Sequence, residues 1–274
     1  MGPALRFTLN LIGNPGRSCP AGQFRRGNRP AHPVGEALPI ARPKPLHLTG
    51  TVGNATLATR LQPQPPEVWM DLCTLLADES ATIQQVAAFL EGLEPDIRKA
   101  AVLALGRKDQ RRLWQKAASS APLDVYHFVP AHQGTRTAVR HFGRNTLPLP
   151  GKHKYFSKVF ARPEDNSDRA FGFNDAPSGK LIGPGYFVAR STATEPNDPA
   201  WAARGAWVVD YFLCPDGPVP EQWPKVVENT VGLQRFVYFH TRDFMRRVSR
   251  DVAIGAAYKE EKSLDHYFVL VREP

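Results

Sequence analysis

Cysteine is scarce in this chain of 274 residues. The three present, Cys19, Cys73 and Cys214, stand far apart, which excludes a disulfide framework and a cysteine-cluster zinc site. Long apolar runs are missing too. No stretch approaches the ~18–20 uninterrupted apolar residues of a membrane span, so an integral membrane protein is excluded and a cytoplasmic location is expected. Catalytic signatures are equally lacking. There is no Gly-x-Ser-x-Gly elbow, and none of the eight histidines has the spacing of a zincin, a facial triad or a zinc finger. No metal and no cofactor are expected; a single axial ligand for haem would first be sought at His240 or His266.

Acids are scarce in two stretches. Residues 1–66 contain one, Glu36, against eight Lys and Arg, and this segment carries +7 of the net +9. Residues 67–121 sum to −1 and residues 122–274 to +3, so the basicity is no argument for nucleic-acid binding by the folded part. Segment 1–66 also holds eleven Pro and eight Gly. Runs such as Pro39-Ile40-Ala41-Arg42-Pro43-Lys44-Pro45 cannot carry helix or sheet hydrogen bonds, and the segment is expected to be disordered. Two origins fit it: a genuine tail, or upstream sequence preceding a start at Met70. A single serine, Ser18, and no amphipathic period argue against a transit peptide.

From Glu67 the pattern becomes helical. Val68, Leu72, Leu75 and Leu76 recur at helical spacing, and Thr82-Ile83-Gln84-Gln85 has the form of a capping box. Gly92 suits a C-cap, Pro95 the first turn of the next helix, and Asp109 the start of a fourth. Residues 67–121 therefore form a module of short helices, whose roles are packing or docking a protein partner.

After Pro122 the period shifts towards two. Strands are expected at Tyr155–Phe160, Arg169–Phe173, Gly185–Arg190, Ala206–Leu213, Arg235–Phe239, Val252–Tyr258 and His266–Val271, with Phe244–Val248 a strand or one helical turn. Short alternating segments with turn chemistry between them and no long intervening helices indicate antiparallel β structure, and a closed barrel removes the sheet edges. The fold class is thus α+β: a small N-terminal helical module followed by an antiparallel β-barrel-like domain over residues 122–274.

The C-terminal run Phe236-Val237-Tyr238, Asp243-Phe244-Met245-Arg246-Arg247-Val248-Ser249, Ile254-Gly255-Ala256-Ala257-Tyr258 and Tyr267-Phe268-Val269-Leu270-Val271-Arg272 resembles the end of bacterial lipocalin-like (calycin-type) barrels. In those barrels an Asp-x-x-Arg segment precedes a Gly-containing strand, and a final aromatic strand ends in Arg. The resemblance covers about forty residues and implies a barrel that binds hydrophobic or amphiphilic small molecules, with haem binding or enzymatic activity in some members.

Between Asp124 and Glu164 there is no acid, while Arg136, Arg140, Arg144, Lys152, Lys154, Lys158 and Arg162 are interleaved with aromatics. Arg136, Arg140 and Arg144 are four apart and would share a helical face. Guanidinium forks suit carboxylate or phosphate, so the stretch is either a solvated, acid-paired face or an anion-recognition lip. The leading expectation is non-enzymatic binding of an amphiphilic molecule with an anionic group in a barrel pocket. Its ligand-binding residues would be Arg140, Arg144, Asn145, Tyr186, Tyr211, Arg246 and His266, with Arg144 in a tight loop at the mouth. The alternatives are an enzyme using Asp210, His240 and Asp243 for acid–base work, and an adaptor docking through the helical module.

Overall fold

A computed structural model describes residues 65–274, apart from Ser178 and 195–198. The expectation for the Pro/Gly-rich segment falls on residues outside the described ones, except for Pro65 and Pro66. The described chain opens with four helices, α1 (Pro65–Ala77), α2 (Ile83–Glu91), α3 (Pro95–Ala104) and α4 (Arg107–Lys116). Local chemistry sets their ends. The Thr82 side chain accepts from the Gln85 backbone N–H and the Gln85 side chain accepts from that of Thr82, which closes the capping box at α2. Pro95 occupies the first turn of α3. Asp109 stands at the third position of α4 rather than at the N-cap, which is Gly106, and caps the helix from there: its carboxylate accepts from the Gly106 N–H at 3.3 Å.

A fifth, single-turn helix, α5 (Val125–Phe128), leads into eight strands: β1 (Val139–Asn145), β2 (Tyr155–Ala161), β3 (Arg169–Asp175), β4 (Phe187–Ser191), β5 (Trp207–Asp210), β6 (Thr241–Arg247), β7 (Val252–Lys259) and β8 (Lys262–Arg272). Three short helices lie in the connections, α6 (Gly179–Ile182), α7 (Pro199–Arg204) and α8 (Gln234–Val237). Each strand pairs antiparallel with the next, and β1 pairs with β8 through registers such as His141↔Arg272, so the sheet closes into a barrel.

Three apolar cores follow from the alternation of side chains along the strands. Inside the barrel, Phe160, Ala170, Phe187, Ala189, Trp207, Val209, Met245 and Leu270 pack together, and α5 contributes Val125 and Phe128 to the same cluster. The outer wall of β5–β8 is covered by the helical module, where Leu72, Leu76, Ile83, Val86, Leu90 and Leu113 meet Val208, Phe244, Ile254 and Val269. The outer wall of β2–β4 is covered by the segment after β5, which lays Trp223 against Phe173 and Tyr186.

Several local expectations are corrected. The Arg235–Phe239 segment is not a strand: its first three residues belong to α8, held by a Tyr238 N–H to Gln234 C=O bond of 2.8 Å. The Gln234 amide donates to the Glu228 carbonyl at 2.7 Å and accepts from Gly185, which anchors the turn and leaves Phe236 exposed. The strand expected over Ala206–Leu213 ends at Asp210, because the Asp210 carboxylate accepts from the Phe212 N–H at 3.0 Å and turns the chain. Arg136, Arg140 and Arg144 do not share a helix. Arg140 and Arg144 lie on β1, where an even spacing also selects one face, and Arg136 precedes it at a positive φ of 55°. Arg144 is accordingly a strand residue and not part of a tight loop.

Candidate functional site

The barrel interior has two unlike halves. At the end closed by α5, Phe128 packs on Phe160 and Trp207, and the His141 ring nitrogen meets the Phe128 carbonyl at 2.9 Å. Burial drives the His141 imidazole down to about 3 and holds that of His127 well below its ordinary value. Neither ring nitrogen of His127 has a hydrogen-bond partner.

Towards the other end lies a polar cluster centred on Lys158, whose side chain is 2% exposed. Its ammonium nitrogen donates to Asn174 at 2.9 Å, to the Asp243 carboxylate at 3.1 Å and to the Tyr211 hydroxyl. Tyr211 in turn reaches Asp243 at 3.2 Å, and the Asn174 amide donates to the Tyr211 oxygen at 3.0 Å. Four rings surround the Lys158 nitrogen, those of Phe268, Tyr211, Phe187 and Phe156, with centroids 5.0, 5.0, 5.1 and 5.8 Å away. Burial lowers the affinity of this amine for a proton, opposed by Asp243, and raises the Tyr211 phenol well above its ordinary value.

Glycines make room for three of those rings. A Cβ on Gly143 would stand 2.7 Å from the Phe156 ring, one on Gly172 2.3 Å from that of Phe187, and one on Gly255 2.2 Å from that of Phe268. Strand glycines at close approaches of this kind are seats for the ring opposite.

A cavity of about 700 Å³ opens beside the cluster, along β1, β2 and β3. Its walls are Phe142, Tyr155, Phe156 and Phe173 together with Ser157, Asn174, Asp175, Pro177, Pro184 and Pro224. Phe156 and Asn174 thus belong both to the cavity wall and to the surroundings of Lys158. Cations gather on the same side. Arg140 pairs with Asp175 at 2.7 Å, Arg144 lies over the Tyr155 ring at 5.7 Å, and Lys99 lies over the Phe142 ring at 5.1 Å.

The acid–base trio expected from the sequence is not assembled. Asp243 points into the barrel, whereas Asp210 lies on the outer face of β5, where Arg190 and Arg242 each pair with it at 3.2 Å. His240 meets Glu260 at 3.4 Å and stacks on Phe212. Among the expected ligand-binding residues, Arg140 and Arg144 flank the cavity and Tyr211 joins the Lys158 cluster. The Asn145 side chain accepts from the Leu147 N–H, and Tyr186 is buried with its hydroxyl donating to the Pro224 carbonyl. Arg246 is elsewhere: it stacks on Trp114 and donates to the carbonyls of Trp114, Ala203 and Arg204. His266 faces Arg107 at 3.3 Å.

Sequence reasoning passed over Lys158, Asn174, Phe187 and Phe268. A signal for Lys158 was present: in the segment Tyr155–Phe160 it shares parity with Phe156 and Phe160, which puts its charge on an aromatic face. Among the described residues no group of three or more His, Cys, Asp or Glu is placed to hold a metal ion, and no helix is long and apolar enough to cross a membrane. No family model, no curated protein and no solved structure matches the chain.

Proposed function

We propose that this protein binds a hydrophobic or amphiphilic small molecule carrying an anionic group, in the cavity along β1–β3. The observation that carries the proposal is the wall of that cavity. Four aromatic side chains and three prolines line about 700 Å³, a volume in the range of small-molecule sites, with a few polar groups to orient a ligand. Arg140, Arg144 and Lys99, held by Asp175, the Leu103 carbonyl and Asp96, stand beside the cavity wall, and their remaining donors would meet a carboxylate or phosphate, each good charge-assisted contact being worth roughly 1.5–3 kcal/mol. The closed eight-stranded barrel agrees with the architecture of lipocalin-like barrels, whose members hold such ligands. In this protein side chains occupy the barrel interior, and the binding space lies against its wall.

The test is a pair of affinities on one variant. A medium-chain fatty acid and the corresponding alcohol are titrated against the native chain by displacement of an apolar fluorescent probe. Replacing Arg144 by Gln is expected to weaken the acid about tenfold while leaving the alcohol nearly unchanged, since one charge-assisted contact is lost. Equal losses for both ligands, or no probe binding at all, would remove the support for this reading.

A further inference from the structure

We propose that Lys158 is a carbonyl-capturing amine, and that an aldehyde or ketone group of the molecule held in the cavity condenses with its side-chain nitrogen to form an imine. The proposal rests on the cavity reading above and adds the chemistry of the ligand's inner end.

The first argument is the surplus of design around one nitrogen. A buried ion pair such as Lys158–Asp243 gives a fold no more stability than apolar residues of the same volume would, because desolvation offsets the attraction. Yet three strands carry glycine where the rings of Phe156, Phe187 and Phe268 close around this amine. Burial favours the neutral, nucleophilic form of a lysine, and at Lys158 it outweighs the opposing pull of the Asp243 carboxylate.

The second argument is the set of proton carriers in contact with the nitrogen. Imine formation needs a base to take a proton from the amine and an acid to deliver protons to the departing oxygen. Asp243, at 3.1 Å, takes the first. The Tyr211 hydroxyl bridges Asp243 and the nitrogen and relays protons to the oxygen, while Asn174 fixes the phenol at 3.0 Å. The nitrogen lone pair forms the new C–N bond, the C–O bond breaks, and the oxygen leaves as water with two protons from the amine. Starting from the ammonium, the product is the protonated imine, still facing the Asp243 carboxylate. No electrons are gained or lost, and no co-reactant is needed.

The third argument is access. Phe156 is the one ring of the four that is only half-buried, and it also lines the cavity. Its ring, 5.8 Å from the Lys158 nitrogen, is shared between the cavity wall and the amine's enclosure, and capture requires it to turn aside.

The full chain is incubated with 4-formylcinnamate, an aromatic aldehyde bearing a carboxylate, then treated with cyanoborohydride and mapped by peptide mass spectrometry. Lys158 is expected to carry the reduced adduct about tenfold or more above the exposed Lys152 and Lys262, in line with a larger neutral fraction and a bound carbonyl, and to lose that preference in urea. Labelling of Lys152 and Lys262 without Lys158 overturns the proposal. The alcohol 4-hydroxymethylcinnamate, which keeps the carboxylate and has no aldehyde, is measured in parallel by equilibrium dialysis. If it binds and Lys158 stays unlabelled, imine capture is wrong and the cavity reading stands; if neither ligand engages the protein, both fall. Lys158→Met should abolish the adduct. Should that variant not fold, the map of the native chain remains decisive.

Discussion

The two halves of the barrel interior are built from the same strands by opposite means. At the α5 end, Phe128, Phe160, Trp207 and Leu270 fill the space with apolar volume, and even the histidines there are stripped of charge by burial. A few residues further along those strands, Lys158, Asp243, Tyr211 and Asn174 hold one another by hydrogen bonds inside a ring of aromatics. The comparison separates what holds the barrel together from what it encloses. Apolar packing fills the closed end, and the polar half lies further along the same strands.

The largest effects break the contrast directly. Asp243→Leu leaves the Lys158 amine buried without its carboxylate and is expected to destabilise by ~3–5 kcal/mol in urea denaturation. Adding Lys158→Met to that variant should recover most of the loss, since a matched apolar pair replaces a matched ionic one. Phe128→Ala at the closed end should cost a similar ~3–5 kcal/mol through the cavity it leaves, and Lys158→Met should not recover it. If the double variant at the polar half shows no recovery, the two halves are held by the same kind of packing and the contrast fails.

Acid probes the closed end. His127 and His141 stay neutral in the folded barrel below 6.5, where an unfolded chain takes up their protons. The unfolded state therefore binds more protons, and stability falls as pH falls, from about 6.5 downwards and, for His141, as far as about 3. Each histidine contributes a slope of up to ~1.4 kcal/mol per pH unit. His127→Leu, which breaks no hydrogen bond at the ring, should remove its share. Urea midpoints of the two proteins between pH 6.5 and 4 read the difference, and parallel curves would show that His127 is not buried neutral.

The smallest effect sharpens the polar half. Gly172→Ala forces a methyl against the Phe187 ring and the Val159 carbonyl and should cost ~1–3 kcal/mol. Gly179→Ala, where nothing stands within 4 Å of the new carbon, should stay within ~0.5 kcal/mol. Equal melting temperatures for the two variants would mean that the glycines are not ring seats.

Much of the fold was legible where local chemistry and burial agree. The Thr82–Gln85 box, the strand at Tyr155 and the alternation from Val252 all follow from patterns that tertiary contacts reinforce. Strand β1 was hidden because neither parity is uniform, Arg140, Phe142 and Arg144 mixing charge with an apolar ring and Val139, His141, Gly143 and Asn145 mixing polar with apolar, and its four-residue arginine spacing fits helix and strand alike. The segment at Arg235 alternates well but has no sheet neighbour, so its N–H groups bond within the turn instead, Phe236 to the Leu233 carbonyl and Tyr238 to that of Gln234. The site was legible only in part. Tyr211, Asp243, Arg140 and Arg144 were singled out, but their partners come from strands far apart in the chain, as with Lys158 and Asp243, 85 residues distant. Parity on a strand predicts which face a side chain takes; it does not predict what stands opposite.

The pairing of β1 with β8 has a consequence for how the molecule is made. His141 cannot find its partner at Arg272, nor the Arg140 carbonyl the N–H of Glu273, until β8 has left the ribosome, more than a hundred residues after β1. Until then β1 and the newest strand stand as two raw borders of an open sheet, each offering unmet amides to any neighbouring chain. A contact spanning so much sequence is slow to form, so the nascent protein passes through a vulnerable interval whose length is set by translation and late closure. Strand β8 acts as the clasp, and a chain interrupted before it is left as an adhesive sheet.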